Sequence, residues 1–261
     1  MSATHERAIF QTGEYVGHFR PEERHNPFRH IYADKRVEVL KLAEELLADK
    51  PSARVLDIGG GMGRIAVPLA TRHQVHLSDI SQAMLAQAND AAKAANIPAN
   101  YFTTSIVDAS RPLPFEDASF DLVICLDLLV HLPDPQEAVR ELHRVLKPGG
   151  AALIDASNSV PFWVFFYPRY VGRRPARLLG TLRHGGVLPE WAGIVHHMRR
   201  QTFLGWLRTA GFTTAGERRC GGDGCGRRAA APAGGSLRHR ATAAGRHVHG
   251  SRSKYGLRRR R

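Results

Sequence analysis

At 261 residues and 43% hydrophobic content, the chain is long enough for one full α/β domain with an appendage, and too short for two large ones. No apolar run reaches the length of a membrane span, and the start MSATHERAIF lacks the basic and apolar blocks of a signal peptide, so a cytoplasmic enzyme is expected. The net charge of +13 sits mostly in one place: residues 217–261 hold 13 Lys or Arg against 2 acids, leaving 24 basic and 22 acidic residues elsewhere, which argues against a nucleic-acid partner for the main body.

In chain order, residues 1–34 form an aromatic and histidine-rich arm that either covers a site or packs on the domain. Lys35 to Ala48 carries an apolar stripe of helical period. Val55, Leu56 and Ile58 then read as a parallel strand buried on both faces, running into a turn built on Gly59, Gly61 and Gly63. Asp57 lies at the carboxyl end of that strand, and Arg64 to Thr71 reads as a helix whose first amides face the crevice. A second strand, Gln74 to Ser78, ends at Asp79, about 20 residues after Asp57, where an acidic side chain meets ribose hydroxyls in this kind of sheet. The alternative makes Asp79 or Ser81 a helix cap, and both readings can hold together.

A helix follows over 82–95, a third strand over 100–104, and an apolar strand from Asp121 to Leu126 that delivers Asp127 and His131 to the same sheet edge. Pro135 to Leu146 is an amphipathic helix closed by Lys147-Pro148-Gly149-Gly150, and Ala151 to Asp155 is the next strand. Residues 157–200 hold the aromatic block PFWVFFYPRY and several arginines, and 201–216 a last helix. The strands expected after that helix are not visible: residues 217–261 are rich in Gly, Arg and Ala with little periodicity, a composition that predicts a disordered tail, a frame-shifted or truncated end, and an incomplete sheet edge.

Four strings carry a resemblance. They are the D-x-G-x-G-x-G turn at Asp57, D-I-S-Q-A-M-L at Asp79, D-A-S-R-P-L-P-F-E-D-A-S-F-D at Asp108, and RVLKPGGAALI. Together they resemble the class I S-adenosylmethionine-dependent methyltransferases over about residues 36 to 156; a dinucleotide enzyme would more often show G-x-G-x-x-G. The resemblance implies a Rossmann-like, doubly wound, mostly parallel sheet and S-adenosyl-L-methionine as cofactor. It places Asp57, Gly59, Gly61 and Gly63 around the methionine half, Asp79, Ile80 and Met84 near the ribose, and Asp108 and Ala109 near the adenine. It also implies an acceptor-recognising lid over 157–200, with Phe162, Trp163, Tyr167 and His196 as candidate substrate residues; a membrane-binding or subunit-binding face is the alternative there.

Methyl transfer from a sulfonium needs an aligned nucleophile relieved of its proton, so His131 is the candidate base and Asp127 a positioning group, while a structural role for His131 stays open. The expected acceptor is a small molecule, methylated on oxygen in a natural-product, quinone-like or sugar-type metabolite. N- or C-methylation, or an inactive cofactor-binding member, are the alternatives. No metal is expected.

Overall fold

The computed structural model describes residues 29–156, 198–221, 224–226 and 254–259. Its elements are α1 (Arg29–Leu46), β1 (Arg54–Ile58), α2 (Ala66–Leu69), β2 (Gln74–Asp79), α3 (Gln82–Ala94), β3 (Phe102–Ile106), β4 (Phe120–Cys125), α4 (Pro135–Val145), β5 (Leu146–Asp155), α5 (Arg200–Thr209), β6 (Phe212–Gly221), β7 (Gly224–Gly226) and β8 (Lys254–Arg259). Among these residues the strands form one sheet in the order β3-β2-β1-β4-β5-β8-β6-β7. The pairs from β3 through β5 are parallel, and β8 runs antiparallel to both β5 and β6. The chain winds outward from β1 in one direction and restarts at β4 in the other. The β1/β4 boundary is therefore the switch point where an open α/β sheet leaves a crevice at its carboxyl edge.

Alternation along β1, β4 and β5 divides the core into two layers. Val55, Leu122, Ile124, Ala151 and Leu153 pack with Val39 and Ala43 of α1, Leu69 of α2 and Leu85 and Ala88 of α3. Leu56, Ile58, Val123, Cys125, Ala152 and Ile154 face Val139 and Leu142 of α4 and Phe203 and Leu207 of α5. Strands covered on both faces read as continuous apolar runs, and these do.

Three expectations change. α1 begins at Arg29, six residues before the predicted start at Lys35. α2 is confined to four residues: Pro68 sits within its first turn, and after Leu69 the chain tightens, with Thr71 N bonded to Pro68 O and Arg72 N to Leu69 O. The third concerns the last helix: α5 ends at Thr209 and the chain is in β6 from Phe212, so the helix expected over 201–216 is shorter, and beyond it β8 and β6 continue the sheet past β5. Ladders are built from backbone groups that every non-proline residue carries, and neither β6 nor β8 contains proline. The basic composition of the tail hid a short alternation at Tyr255 and Leu257. The remaining tail residues, 227–253, 260 and 261, and the lid segment 157–197 lie outside the described residues.

Candidate active site

The site is built where the carboxyl ends of β1, β2, β3, β4 and β5 meet. At the end of β1 the backbone reverses: Gly59 N donates to Ser78 O at 2.7 Å, and Gly59 (φ +70) and Gly61 (φ +56) take left-handed conformations. The pattern singles out Gly59, Gly61 and Gly63, yet the residue with least room is Gly60. A Cβ there would lie 2.2 Å from Leu77 Cδ1 and 2.6 Å from Asp57 Cγ.

Asp57 is 3% exposed and sits on the α1 face of the sheet, beneath Gly60. Its Oδ2 has no hydrogen-bond partner among the described residues, and neither does the buried hydroxyl of Ser78 on the adjoining strand. Burial, joined by the charge of Asp79, pushes the Asp57 carboxyl up to about 7, and the Ala66 amide pulls the other way. A buried carboxylate oxygen without a donor is a place prepared for a cation.

Asp79 closes β2 and spans two loops: Oδ2 accepts from Gly61 N at 2.9 Å and Oδ1 from Ser81 N at 2.8 Å. Burial raises its carboxyl above the usual range, opposed by those amides. Ser81 caps α3, its hydroxyl accepting from Met84 N at 3.4 Å, so the cap and the crevice-edge carboxylate are neighbours rather than rivals. Ile80 is half-buried, and Met84 is buried with its sulfur 3.9 Å from where a Gly61 Cβ would lie. Val107 N donates to Asp79 O at 3.1 Å, which carries β3 on to Asp108 beside Asp79. Asp108 Oδ1 accepts from Ser110 N at 3.1 Å and Ser110 Oγ at 2.6 Å, and Arg111 Nε lies 3.4 Å from Oδ2. Ala109 helps line a small pocket, apolar but for Glu141, with Ile58, Cys125 and Leu128.

Beyond β4, Asp127 adopts φ +57, and its amide donates to Asp155 Oδ1 at 2.7 Å. Its carboxylate meets Lys35 Nζ, which also donates to Asp155 Oδ2 at 2.6 Å. Burial alone would lower the Lys35 ammonium's pKa, but the two carboxylates outweigh it and raise it, so the lysine stays charged. His131 ends a 3-10 turn over Leu129–His131, half-buried, its amide bonded to Leu128 O at 2.9 Å. Burial, with the nearby carboxylates, raises the Cys125 thiol well above its usual range, which removes it as a nucleophile.

The structure thus gathers Asp57, Gly59, Gly61, Gly63, Asp79, Ile80, Met84, Asp108, Ala109, Asp127 and His131 along one sheet edge. Phe162, Trp163, Tyr167 and His196 lie outside the described residues. Lys35, Gly60, Leu128 and Asp155 were missed. The signal for Lys35 was there: it lies four residues before Val39 and eight before Ala43, a charge on a stripe that is otherwise buried and apolar. Asp155 ends an apolar strand, as Asp79 ends β2.

Residues 56–154 match a family model described as a methyltransferase domain. The ubiquinone biosynthesis O-methyltransferase of Marinobacter nauticus is 32% identical over 200 residues, covering 69% of this chain and 78% of that protein. The chain belongs to the class I S-adenosylmethionine-dependent methyltransferases. The 27-O-demethylrifamycin SV methyltransferase of Amycolatopsis mediterranei is 36% identical over 142 residues, 51% of this chain and 52% of that one. The chain spans about half the length of several curated relatives it matches. A magnesium protoporphyrin IX methyltransferase from Synechocystis PCC 6803, solved with bound S-adenosylhomocysteine, superposes with a TM-score of 0.65 at 20% identity, over 98% of this chain and 100% of that one, and shares the fold.

The family's cofactor is S-adenosylmethionine, and the residues present fit it. Its ammonium suits the unpartnered Asp57 oxygen, and its hydroxyls suit the Asp79 carboxylate. Among the described residues no group of three or more His, Cys, Asp or Glu is arranged to hold a metal ion, and no helix is long and apolar enough to cross a membrane.

Proposed function

We propose that this chain transfers the methyl group of S-adenosylmethionine to an oxygen of a small-molecule acceptor. The observation that carries the reading is the buried Asp57 carboxylate beneath the glycine turn, with Asp79 tied to the same turn by Gly61 N. The relatives at 32% and 36% identity that bear O-methyltransferase or rifamycin methyltransferase names favour a small hydroxyl-bearing acceptor. When bound, S-adenosylmethionine supplies a methyl group activated by a sulfonium.

The protein's own residues bind, orient and remove a proton. Asp57 receives the ammonium, Asp79 the ribose hydroxyls, and Asp108 the adenine amino group. Asp127, fixed by Lys35 and Asp155, is a held anion that orients the acceptor. His131 takes the acceptor's hydroxyl proton. Most of the acceleration then comes from alignment, with the base adding to it.

Calorimetric titration of the full-length chain with S-adenosylmethionine and S-adenosylhomocysteine tests the reading. Micromolar binding is expected, weakened about 100-fold or more in Asp79→Ala, which loses both the hydroxyl contacts and the tie to Gly61. No binding by a folded chain would sink the assignment. In a screen of phenols, quinols and glycosides that follows S-adenosylhomocysteine release, His131→Ala should lower kcat by about 100-fold or more. An unchanged kcat would remove His131 from the chemistry.

A further inference from the structure

We infer that Lys35 is a positioning residue for the cofactor site: by clamping Asp127 and Asp155 it holds the Asp127 backbone left-handed and so seats Leu128 against the glycine turn. The inference rests on reading that turn as the S-adenosylmethionine site. Three contacts carry it. The Lys35 ammonium, on the buried stripe of α1, bridges the two carboxylates; Asp155 in turn accepts the Asp127 amide at 2.7 Å. Asp127 is thereby held by side chain and main chain at once.

That grip matters because φ +57 is uphill for any residue with a Cβ, though less so for Asp than for most. Left to itself, a residue at the end of β4 would favour extended backbone. The reversal at Asp127 swings the next residue back over the switch point. Leu128 Cδ2 then lies 3.0 Å, and its Cβ 3.1 Å, from where a Gly59 Cβ would be. Gly59 is in turn bonded to Ser78 at the end of β2. A path of direct contacts therefore runs from α1 through β5 and β4 to the first glycine of the turn. Without the ammonium, the two carboxylates lose the cation that bridges them, and their repulsion works against the strained turn.

The test is S-adenosylhomocysteine binding to the full-length chain by calorimetry, with circular dichroism to confirm folding. Lys35→Met should weaken binding about tenfold, the loss expected when a left-handed turn is no longer held in place. Adding Asp127→Gly to that variant should restore affinity to within about threefold of wild type, because glycine adopts positive φ without strain. Adding Asp127→Ala, which removes the same carboxylate but keeps a Cβ, should not.

Equal rescue by alanine and glycine would overturn the inference, since charge relief alone would then explain the effect. So would wild-type affinity in Lys35→Met. If Lys35→Met does not fold, the same comparison with Lys35 intact decides: Asp127→Gly must bind about tenfold more tightly than Asp127→Ala, and equal affinities overturn the inference. Absence of binding by the folded wild-type chain would instead overturn the cofactor reading itself and remove the site that Lys35 is said to position.

Discussion

Gly60→Ala is expected to abolish measurable S-adenosylhomocysteine binding, with a loss of at least about 100-fold, while Gly61→Ala loses only several-fold. This reverses the order that the G-x-G-x-G pattern implies, since Gly60 occupies an unspecified position in it. The difference is one of space. A methyl at Gly60 would meet Leu77 Cδ1 at 2.2 Å and Asp57 Cγ at 2.6 Å, both well inside van der Waals contact. Leu77 is 0% exposed and Asp57 only 3%, so neither can swing aside. The turn itself must lift, and it would carry the cofactor-facing backbone away from Asp57. Overpacking of this kind also costs about 1–3 kcal/mol of stability, readable as a lowered urea midpoint. At Gly61 the nearest atom is the Met84 sulfur at 3.9 Å, so alanine there adds only the strain of φ +56, about 1–2 kcal/mol. Equal losses in the two variants would show that backbone freedom, rather than room, governs the turn.

Cofactor affinity should rise with pH up to about 7 and level off above it, the other large effect. The Asp57 carboxyl is raised from 3.8 to about 7 by burial and by Asp79, so between those values the folded chain holds a proton that the unfolded chain has released. The sign follows: this group's contribution to the stability of the free protein is greatest below the ordinary carboxylate value and declines as pH rises toward 7, by about 1.4 kcal/mol per pH step. A cationic ligand reverses the preference, because it needs Asp57 ionised. Below about 7, binding must expel the proton, and affinity should fall by up to about tenfold per pH step. Titrations from acid to mildly basic pH, in two buffers of different ionisation heat, would count that proton. Asp79 is raised in the same direction, so Asp57→Asn is the informative control: it should bind weakly and lose most of the slope. A flat profile in the wild-type chain would show that no carboxylate of this turn takes up the ligand's charge.

Much of the candidate site's geometry was legible because its determinants are local. Asp57 with its glycines, Asp79 with Ser81, and Asp108 with Ala109 each lie within one strand-to-loop junction, where spacing along the chain fixes spacing at the sheet edge. Lys35 was not legible as a site residue, because its partners are 92 and 120 positions away and only the fold brings them together. The clearance at Gly60 depends on Leu77 of a neighbouring strand and escaped for the same reason. The strands β6 and β8 were missed for a different cause. Their pairing is supplied by backbone, while their glycines and arginines blur the alternation that marks a strand. The short α2 was overextended because the apolar run continues past the point where the hydrogen bonds tighten to three-residue spacing, at Thr71 and Arg72.

The place of β8 in the sheet bears on how the chain assembles. It fills the slot between β5 and β6 and pairs Ile154 with Tyr255, about 100 positions apart, whereas β1, β2 and β3 find neighbours that follow closely in sequence. The half of the sheet holding the glycine turn can form while the other half is still waiting. Until the late segment arrives, the outer edge of β5 offers unpaired amides and carbonyls to any strand that meets it. Assembly therefore becomes a contest between one distant segment of the same chain and the nearest copy of another, and dilution or a chaperone tilts it toward the first.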